Sequence, residues 1–215
     1  MGSTPTKSTI KLRQSRLPFL YFDSIFIIMN IKSKLRKALL EAKHAVTHKN
    51  EFGCIMVYLK VDENEWNSML NLIDEDDLYQ PKDDPTYGKE TEPHVTILFG
   101  LHTDVPLKDV EEEIGKISQL SIDFKGISSF SNPQFDVLKF DVDSSDLHAF
   151  NKKFREFPHT NRYPDYHPHC TIAYLKPNMA EKYIKKLNSS VKMGMVPSHI
   201  VYSMADGTKK EYDLV

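Results

Sequence analysis

The chain carries the pattern Pro-His-x-Thr-Ile twice, and this duplication constrains its fold more than any other feature. The first copy spans 93–97 and runs into HVTILFGL, and the second spans 168–172 and runs into HCTIAYL. Both continuations are short apolar runs with β-branched and aromatic residues, which is typical of buried strands. A fold for this chain therefore has to place two related strands in equivalent positions.

A longer repeat surrounds the two patterns. Each half of the chain reads as a strand, a helix, a loop, the His-x-Thr strand, a helix and a strand. Two long copies predict an α+β protein with two lobes that face each other across a central cleft. We expect one bilobal domain over 51–215, with lobes at about 51–130 and 131–215 and strand exchange between them as an option.

Alternation along a strand places His94 and Thr96 on one face of the first motif strand, and His169 and Thr171 on one face of the second. The two side chains of each pair are then roughly 7 Å apart, from a rise of about 3.3 Å per residue. An imidazole and a hydroxyl at that separation can both reach one phosphate group. The same alternation assigns four residues to the core: Val95, Phe99, Cys170 and Tyr174.

Two histidines and two threonines around one point have the chemistry that phosphodiester cleavage requires. One imidazole can take a proton from the attacking hydroxyl or water while the other gives one to the leaving oxygen. Threonine hydroxyls can donate hydrogen bonds to the non-bridging oxygens, where negative charge grows in the transition state. This arrangement requires no metal ion and no cofactor. It leaves open which histidine is the base, and whether the bond is 2',3' or 3',5'.

Other interpretations of the same residues remain open. Both histidines can simply end their strands and bond to backbone. His167 and His169 form His-x-His, but Pro168 is an awkward spacer and no ligand-spaced Cys, Asp or Glu stands beside them, so a zinc site is disfavoured. The cleft can also bind a nucleotide or RNA end without cleaving it, or support a metal-dependent hydrolysis.

Over roughly 52–215 the sequence resembles the two-histidine (2H) phosphoesterase superfamily, whose signature is a pair of His-x-Thr/Ser motifs. GISSFSNPQFDVLKFDV is also similar to the segment between the lobes in that family. The resemblance implies a bilobal fold of two pseudo-symmetric antiparallel sheets, with helices on the outside and a central cleft. It implies acid and base roles for His94 and His169, and phosphate-binding roles for Thr96 and Thr171.

The superfamily includes 2',3'-cyclic phosphodiesterases often labelled 2'-5' RNA ligases, and phage enzymes that degrade cyclic oligonucleotide defence signals. YGKETEPHVTILFGL is most similar to the short phage-encoded members. The resemblance therefore implies a hydrolase that acts on a cyclic nucleotide or on an RNA end with a cyclic phosphate. For a phage-encoded member, the activity would counter host defence in the host cytoplasm.

Aromatic and basic residues in the loops before the motifs are candidates for substrate binding. Tyr87 precedes the first motif, and Arg162, Tyr163 and Tyr166 precede the second. Tyrosine rings can stack on bases, and arginine can pair with a second phosphate. We expect Tyr87, Arg162 and Tyr166 to contact the substrate, although tyrosines in proline-rich loops also serve loop packing.

Charge and cysteine content limit the partners and the compartment. The formal net charge of -2 provides no excess of basic residues for gripping a long duplex, whereas a small nucleotide or an RNA end remains a suitable partner. Both cysteines lie in apolar runs, which indicates a reducing compartment such as the cytoplasm. The sequence does not define the oligomeric state.

The first residues are set apart from the repeat. Basic residues precede an apolar stretch at 17–29, which gives the outline of a signal peptide. Pro18 and Asp23 interrupt that stretch, and it is too short to span a bilayer, so no stable membrane association is expected. We interpret 1–28 as an unstructured or mis-annotated extension and predict a basic helix over 29–50.

Overall fold

The computed structural model describes residues 52–82, 84, 86–161, 163–190 and 193–214. The predictions for 1–28 and 29–50, and the role of Arg162, lie outside these residues. The strands are β1 (Gly53–Lys60), β2 (His94–Leu101), β3 (Asp123–Ser131), β4 (Asp136–Asp143), β5 (His169–Leu175), β6 (Val196–Ser203) and β7 (Lys209–Asp213). The helices are α1 (Glu63–Leu70), α2 (Leu107–Ile114), α3 (Ser145–Phe154) and α4 (Ala180–Ser190), with a 3-10 turn at Glu75–Asp77. No described helix is long and apolar enough to cross a membrane.

Side-chain caps begin two of the helices. The Asp62 carboxylate accepts hydrogen bonds from the backbone N–H groups of Asn64 and Glu65, at 2.9 and 3.0 Å, and so starts α1. The Ser144 hydroxyl accepts one from the N–H of Leu147 at 3.1 Å and starts α3. Each cap satisfies a backbone donor that the first turn of a helix leaves unpaired. The caps therefore define where the chain leaves β1 and β4 to begin a helix.

All seven strands form one antiparallel sheet in the order β3-β4-β5-β2-β1-β6-β7. The motif strands β2 and β5 are neighbours in it, and one register pair, Val95 with Cys170, joins them. We call this pair the seam. The predicted α+β class is confirmed. The two antiparallel sheets implied by the resemblance are two halves of one sheet, because the seam links β5 to β2.

Each half of the sheet contains a strand from the other repeat. β3 follows the first motif along the chain, yet it pairs with β4, which lies beside the second motif strand. β6 follows the second motif, yet it pairs with β1, which lies beside the first motif strand. Neither repeat of the sequence therefore builds its half of the sheet from its own strands alone.

One face of the sheet packs into the core, and the other carries the motif side chains. Val95, Ile97, Cys170 and Ile172 are fully buried. Helix α3 lies against β2, and α4 lies against β3 and β4. The buried Asn151 amide of α3 donates to the Ile97 carbonyl at 2.7 Å, which ties this helix to the first motif strand.

Both motif strands contain a bulge at the isoleucine that follows the threonine. In β2 the register with β1 shifts directly after Thr96, which leaves Ile97 as the extra residue. In β5 the register with β4 shifts directly after Thr171, which leaves Ile172 as the extra residue. One extra residue reverses the alternation of side chains beyond it.

The two bulges overturn one prediction from the sequence. Strict alternation assigned Phe99 and Tyr174 to the core, and that assignment was wrong. Phe99 is 56% exposed and Tyr174 is partly exposed. Each motif strand thus carries an aromatic side chain on the same face as its histidine and threonine.

Candidate active site

The two motifs meet at the seam in opposite directions. Because β2 and β5 are antiparallel, the seam sets His94 on the side of Thr171 and Thr96 on the side of His169. The histidines are near enough to interact, since positive charge on His94 lowers the pKa of His169. The structure therefore brings the four motif residues together on one face of the sheet.

Each motif imidazole is held through one ring nitrogen. Nδ1 of His94 lies 2.8 Å from the carbonyl oxygen of Glu92, and Nδ1 of His169 lies 2.8 Å from that of His167. A carbonyl only accepts, so each Nδ1 carries the proton, and each Nε2 has a lone pair when its ring is neutral. Within the described residues, nothing hydrogen-bonds to either Nε2. The contact with backbone thus leaves the second nitrogen of each ring open.

Acidic and aromatic groups surround His94. Its Nδ1 is 3.9 Å from Oε2 of Glu90, and its ring stacks on Tyr58 with centroids 5.6 Å apart. Tyr58 donates its hydroxyl hydrogen to Glu92 at 3.3 Å, and its ring also stacks on His199 at 5.2 Å. Burial and the two nearby carboxylates raise the pKa of Tyr58 well above its ordinary value. Tyr58 therefore stays a neutral hydrogen-bond donor at physiological pH.

A buried cation lies close to His169. The Phe130 ring meets the imidazole edge-to-face at 5.0 Å, and Nζ of Lys139 is 4.1 Å from the centre of the same ring. Burial lowers the pKa of His169, and the positive charges of Lys139 and His94 lower it further. The hydrogen bond to the His167 carbonyl and the Asp141 carboxylate oppose this shift. The two histidines thus share one hydrogen-bonding scheme but have different electrostatic surroundings.

The two motif threonines differ in exposure and in their neighbours. Thr171 is 9% exposed and lies across the strand pair from Lys139. Thr96 is partly exposed, and its side chain lies near the thiol of Cys54. A hydroxyl with few available rotamers can hold a fixed direction towards a bound phosphate.

Tyr166 supports the first motif strand. Its hydroxyl donates a hydrogen bond to the Thr96 carbonyl at 2.8 Å, directly before the bulge. Burial raises the pKa of Tyr166 well above its ordinary value, so the hydroxyl remains a donor. The ring also packs edge-to-face on His148 at 5.3 Å. Contact between Tyr166 and a substrate stays a prediction, as does that of Arg162.

Tyr87 belongs to a cluster of four aromatic rings beside the second motif. Its ring meets those of Tyr79, Phe135 and Tyr174 at centroid distances of 5.0, 5.3 and 4.9 Å. Tyr174 links the cluster to the motif, because it follows Thr171 on the same strand, β5, and its side chain lies near that of Thr171. Tyr87 is partly exposed, and its contact with a substrate remains to be tested.

Four residues that contact the motif histidines or their neighbours were not predicted: Tyr58, Glu90, Phe130 and Lys139. For Lys139 a signal was present, because alternation in FDVLKFDVD puts Lys139 and Asp141 on one face of an apolar strand. Nothing in the sequence marks Glu90 or Phe130, since their loop and edge-strand positions follow no apolar period. Among the described residues, no three His, Cys, Asp or Glu side chains converge as metal ligands.

Two His-x-Thr strands meet antiparallel within the α+β sheet, which is the arrangement expected for the two-histidine phosphoesterase superfamily. The family model described as the 2'-5' RNA ligase superfamily matches residues 76–194, which is more than half of the chain. The chain belongs to this superfamily, and the resemblance seen in the sequence is confirmed. Membership supports a role in the cleavage of phosphodiester bonds or in the processing of RNA ends.

Comparison with solved structures gives a more distant likeness. Usb1 from Kluyveromyces marxianus is similar with a TM-score of 0.48 and 10% sequence identity. The similarity covers 77% of this chain and 99% of that chain. No curated protein matches the chain.

Proposed function

We propose that this protein is a metal-independent phosphodiesterase that cleaves a cyclic nucleotide, or the cyclic phosphate at an RNA end, by acid–base catalysis with two histidines. One observation carries the proposal. His94 and His169 lie on one face of the sheet, and each is fixed through Nδ1 while Nε2 is open within the described residues. One ring can then accept a proton while the other donates one.

The proton and bond changes balance for a 2',3'-cyclic phosphate. Nε2 of the basic histidine takes a proton from water, and the water oxygen bonds to phosphorus. One ribose oxygen–phosphorus bond breaks, and the second histidine, which starts as imidazolium, protonates the leaving ribose oxygen. The product is a phosphomonoester, and exchange with solvent restores the starting protonation states. Where the bond is 3',5', a ribose 2'-hydroxyl can attack in place of water.

The threonines would stabilise the charge that this reaction creates. Thr96 and Thr171 can each donate a hydrogen bond to a non-bridging phosphate oxygen, from opposite sides of the seam. Donors that are already in place when charge develops need no reorganisation, which is why such groups lower barriers. A pair of them suits a phosphate, which has two non-bridging oxygens.

Aromatic side chains on the motif face support a nucleotide as substrate. Phe99 and Phe130 are 56% and 38% exposed, and Phe130 contacts His169. Rings that are exposed beside a phosphate site can stack on bases. We therefore propose a small nucleotide or an RNA end as the partner, and not a long duplex.

Within that class, a cyclic di- or oligonucleotide signal is a specific candidate. The similarity of YGKETEPHVTILFGL to short phage-encoded members supports it. Such an enzyme would act in the host cytoplasm and remove a defence signal.

Product identification by chromatography tests the proposed function. The protein is incubated, in parallel with and without chelator, with 2',3'-cyclic mononucleotides, an oligoribonucleotide that ends in a cyclic phosphate, and 3',3'-cyclic dinucleotides. Turnover of the dinucleotides would indicate signal degradation, and turnover of the 2',3'-cyclic ends alone would indicate RNA-end processing. Tight binding without turnover of any compound would overturn the enzyme in favour of a binding module. Activity that chelator abolishes would overturn metal independence.

A further inference from the structure

Lys139 is a buried lysine on the face of the sheet that carries the motifs. It is 4% exposed, and in the register of β4 with β5 it lies directly across from Thr171. Lysine is among the residues least often buried, because removal of its charge from water costs several kcal/mol per ion. Burial of a lysine at this position therefore requires partners that stabilise its charge, and it calls for a functional explanation.

The partners fix the ammonium group in one position. Nζ donates to the Ser128 hydroxyl at 2.7 Å and to the Asp141 carboxylate, and it lies over the Phe130 ring at 4.1 Å. Ser128 in turn donates to Asp141 at 2.8 Å, which closes the network. Since the same Phe130 ring meets His169 at 5.0 Å, the cation is held one aromatic ring away from the imidazole.

Within the part of the chain that the structure describes, three charged groups are found to act on His169. Lys139 and Asp141 come from β4, and His94 comes from β2 across the seam, whereas β3 contributes the uncharged Ser128 and Phe130. Asp141 is 45% exposed at its side chain and Lys139 is 5% exposed, so solvent screens the carboxylate more than the ammonium. The buried positive charge makes protonation of His169 harder.

We propose that Lys139 is a positioning residue of the candidate active site, whose fixed ammonium charge assigns His169 the role of base and leaves His94 the role of acid. The inference rests on the proposed function. His169 accepts the proton of the attacking water or hydroxyl at Nε2. His94 enters as imidazolium, beside the Glu90 carboxylate, and gives its Nε2 proton to the leaving oxygen.

The pH dependence of kcat/KM tests this assignment with two variants that should shift the pKa of His169 in opposite directions. In Lys139→Met the positive charge is lost, so the pKa of His169 rises and the acidic limb of the profile moves to higher pH. In Asp141→Asn the negative charge is lost, so the same limb moves to lower pH. At acidic pH the first variant therefore loses activity several-fold more than it does on the alkaline side. Lys125→Met removes an exposed lysine of β3, paired with Asp123 and Asp143, and leaves the limb in place.

Titration of the His169 ring by NMR separates this inference from the proposed function, because it needs no substrate. Opposite shifts of the His169 midpoint in Lys139→Met and Asp141→Asn are expected even if no substrate is turned over. An unchanged midpoint in both variants would overturn the role of Lys139 while leaving phosphodiesterase activity intact. If Lys139→Met does not fold, Asp141→Asn alone tests the proposal. The titration midpoint of His169 should then fall in Asp141→Asn, and a midpoint that stays the same or rises contradicts the proposed balance of charges.

Discussion

The two motif histidines have the same hydrogen bonding but different electrostatic surroundings. Both rings donate from Nδ1 to the carbonyl two residues earlier, so backbone geometry alone gives them the same tautomer. What differs is the neighbour: a carboxylate 3.9 Å from His94, and a buried ammonium one ring away from His169. A fixed tautomer decides which ring nitrogen faces the ligand, and the neighbouring charges favour either the neutral or the protonated ring. Both are needed if one histidine is to accept a proton while the other donates one.

Replacement of either motif histidine should abolish most of the activity. In His94→Ala and His169→Ala we expect kcat/KM to fall about 10²–10⁴-fold or more, because each variant lacks one of the two proton-transfer groups. His199→Ala is the matched control, since His199 also stacks on Tyr58 but belongs to no motif. Circular dichroism checks that all variants fold, and an equal loss in the control would contradict the pairing of roles.

Loss of one hydroxyl should weaken the first motif strand. Tyr166→Phe removes the donor to the Thr96 carbonyl and leaves that carbonyl without this partner, which costs about 1–3 kcal/mol. Urea unfolding measures the difference. Tyr163→Phe is the control, because Tyr163 is 75% exposed and its change should stay within about 0.5 kcal/mol. Equal stability of the two variants would show that the Tyr166 bond contributes nothing.

At the scale of the elements, the paired bulges decide what the motif strands present to a ligand. Each bulge follows a His-x-Thr motif by one residue, and each turns an aromatic side chain to the motif face. The result is the same spacing of histidine, threonine and aromatic ring in both halves of the sheet. A site with this internal symmetry can flank a phosphate with a ring on either side.

Removal of one of these rings should affect binding more than folding. In Phe99→Ala we expect KM for a nucleotide substrate to rise by about tenfold with little change in kcat, because stacking of a base on an aromatic ring contributes about 1–3 kcal/mol. Thermal unfolding should be almost unchanged, since the side chain is 56% exposed. Val196→Ala, which truncates an apolar side chain that is 54% exposed on β6, should change neither quantity. An unchanged KM in Phe99→Ala would remove Phe99 from the binding surface.

Much of the element pattern could be predicted from the sequence, and the exceptions share a physical cause. The motif strands were evident because short runs of apolar and β-branched residues are local signals. Phe99 and Tyr174 were misplaced because a bulge depends on the register of a partner strand, which a single strand does not encode. Phe130 escaped notice for a related reason, since its contact with His169 exists only once β3 joins the other half of the sheet.

At the scale of the whole molecule, a charged contact ties the two repeats together on the helical side. Lys182 of α4 bonds to the carboxylates of Asp74 and Asp77, at 2.6 and 2.7 Å, and Tyr183 donates to Asp77 at 2.6 Å. The lysine belongs to the second repeat and the carboxylates to the first. Hydrogen bonds from Lys182 lower the pKa of both carboxyl groups.

This contact should make part of the stability depend on pH. Because the pKa of Asp74 and Asp77 is lower in the folded protein, the stabilisation is complete above the ordinary carboxyl pKa and is lost as pH falls through the lowered values. Lys182→Met should therefore unfold at lower urea concentration than the native protein near pH 7. In strong acid, the two proteins should unfold at the same urea concentration. Lys185→Met, on the same helix, serves as a control. If the difference in unfolding urea concentration does not change with pH, the ion pairs do not stabilise the fold.

Because β3 and β6 each lie in the half of the sheet built around the other motif, neither repeat can fold without the other. Cleavage of the chain in the β3–β4 turn would give two fragments, each holding one motif. The first fragment would also hold β3, and the second β6 and β7, which belong in the other half of the sheet. Neither fragment alone could complete its own half, so each would expose an unpaired strand edge. The duplicated pattern therefore cannot be divided into two independent enzymes, and the fragments should regain a folded state only by complementation with each other.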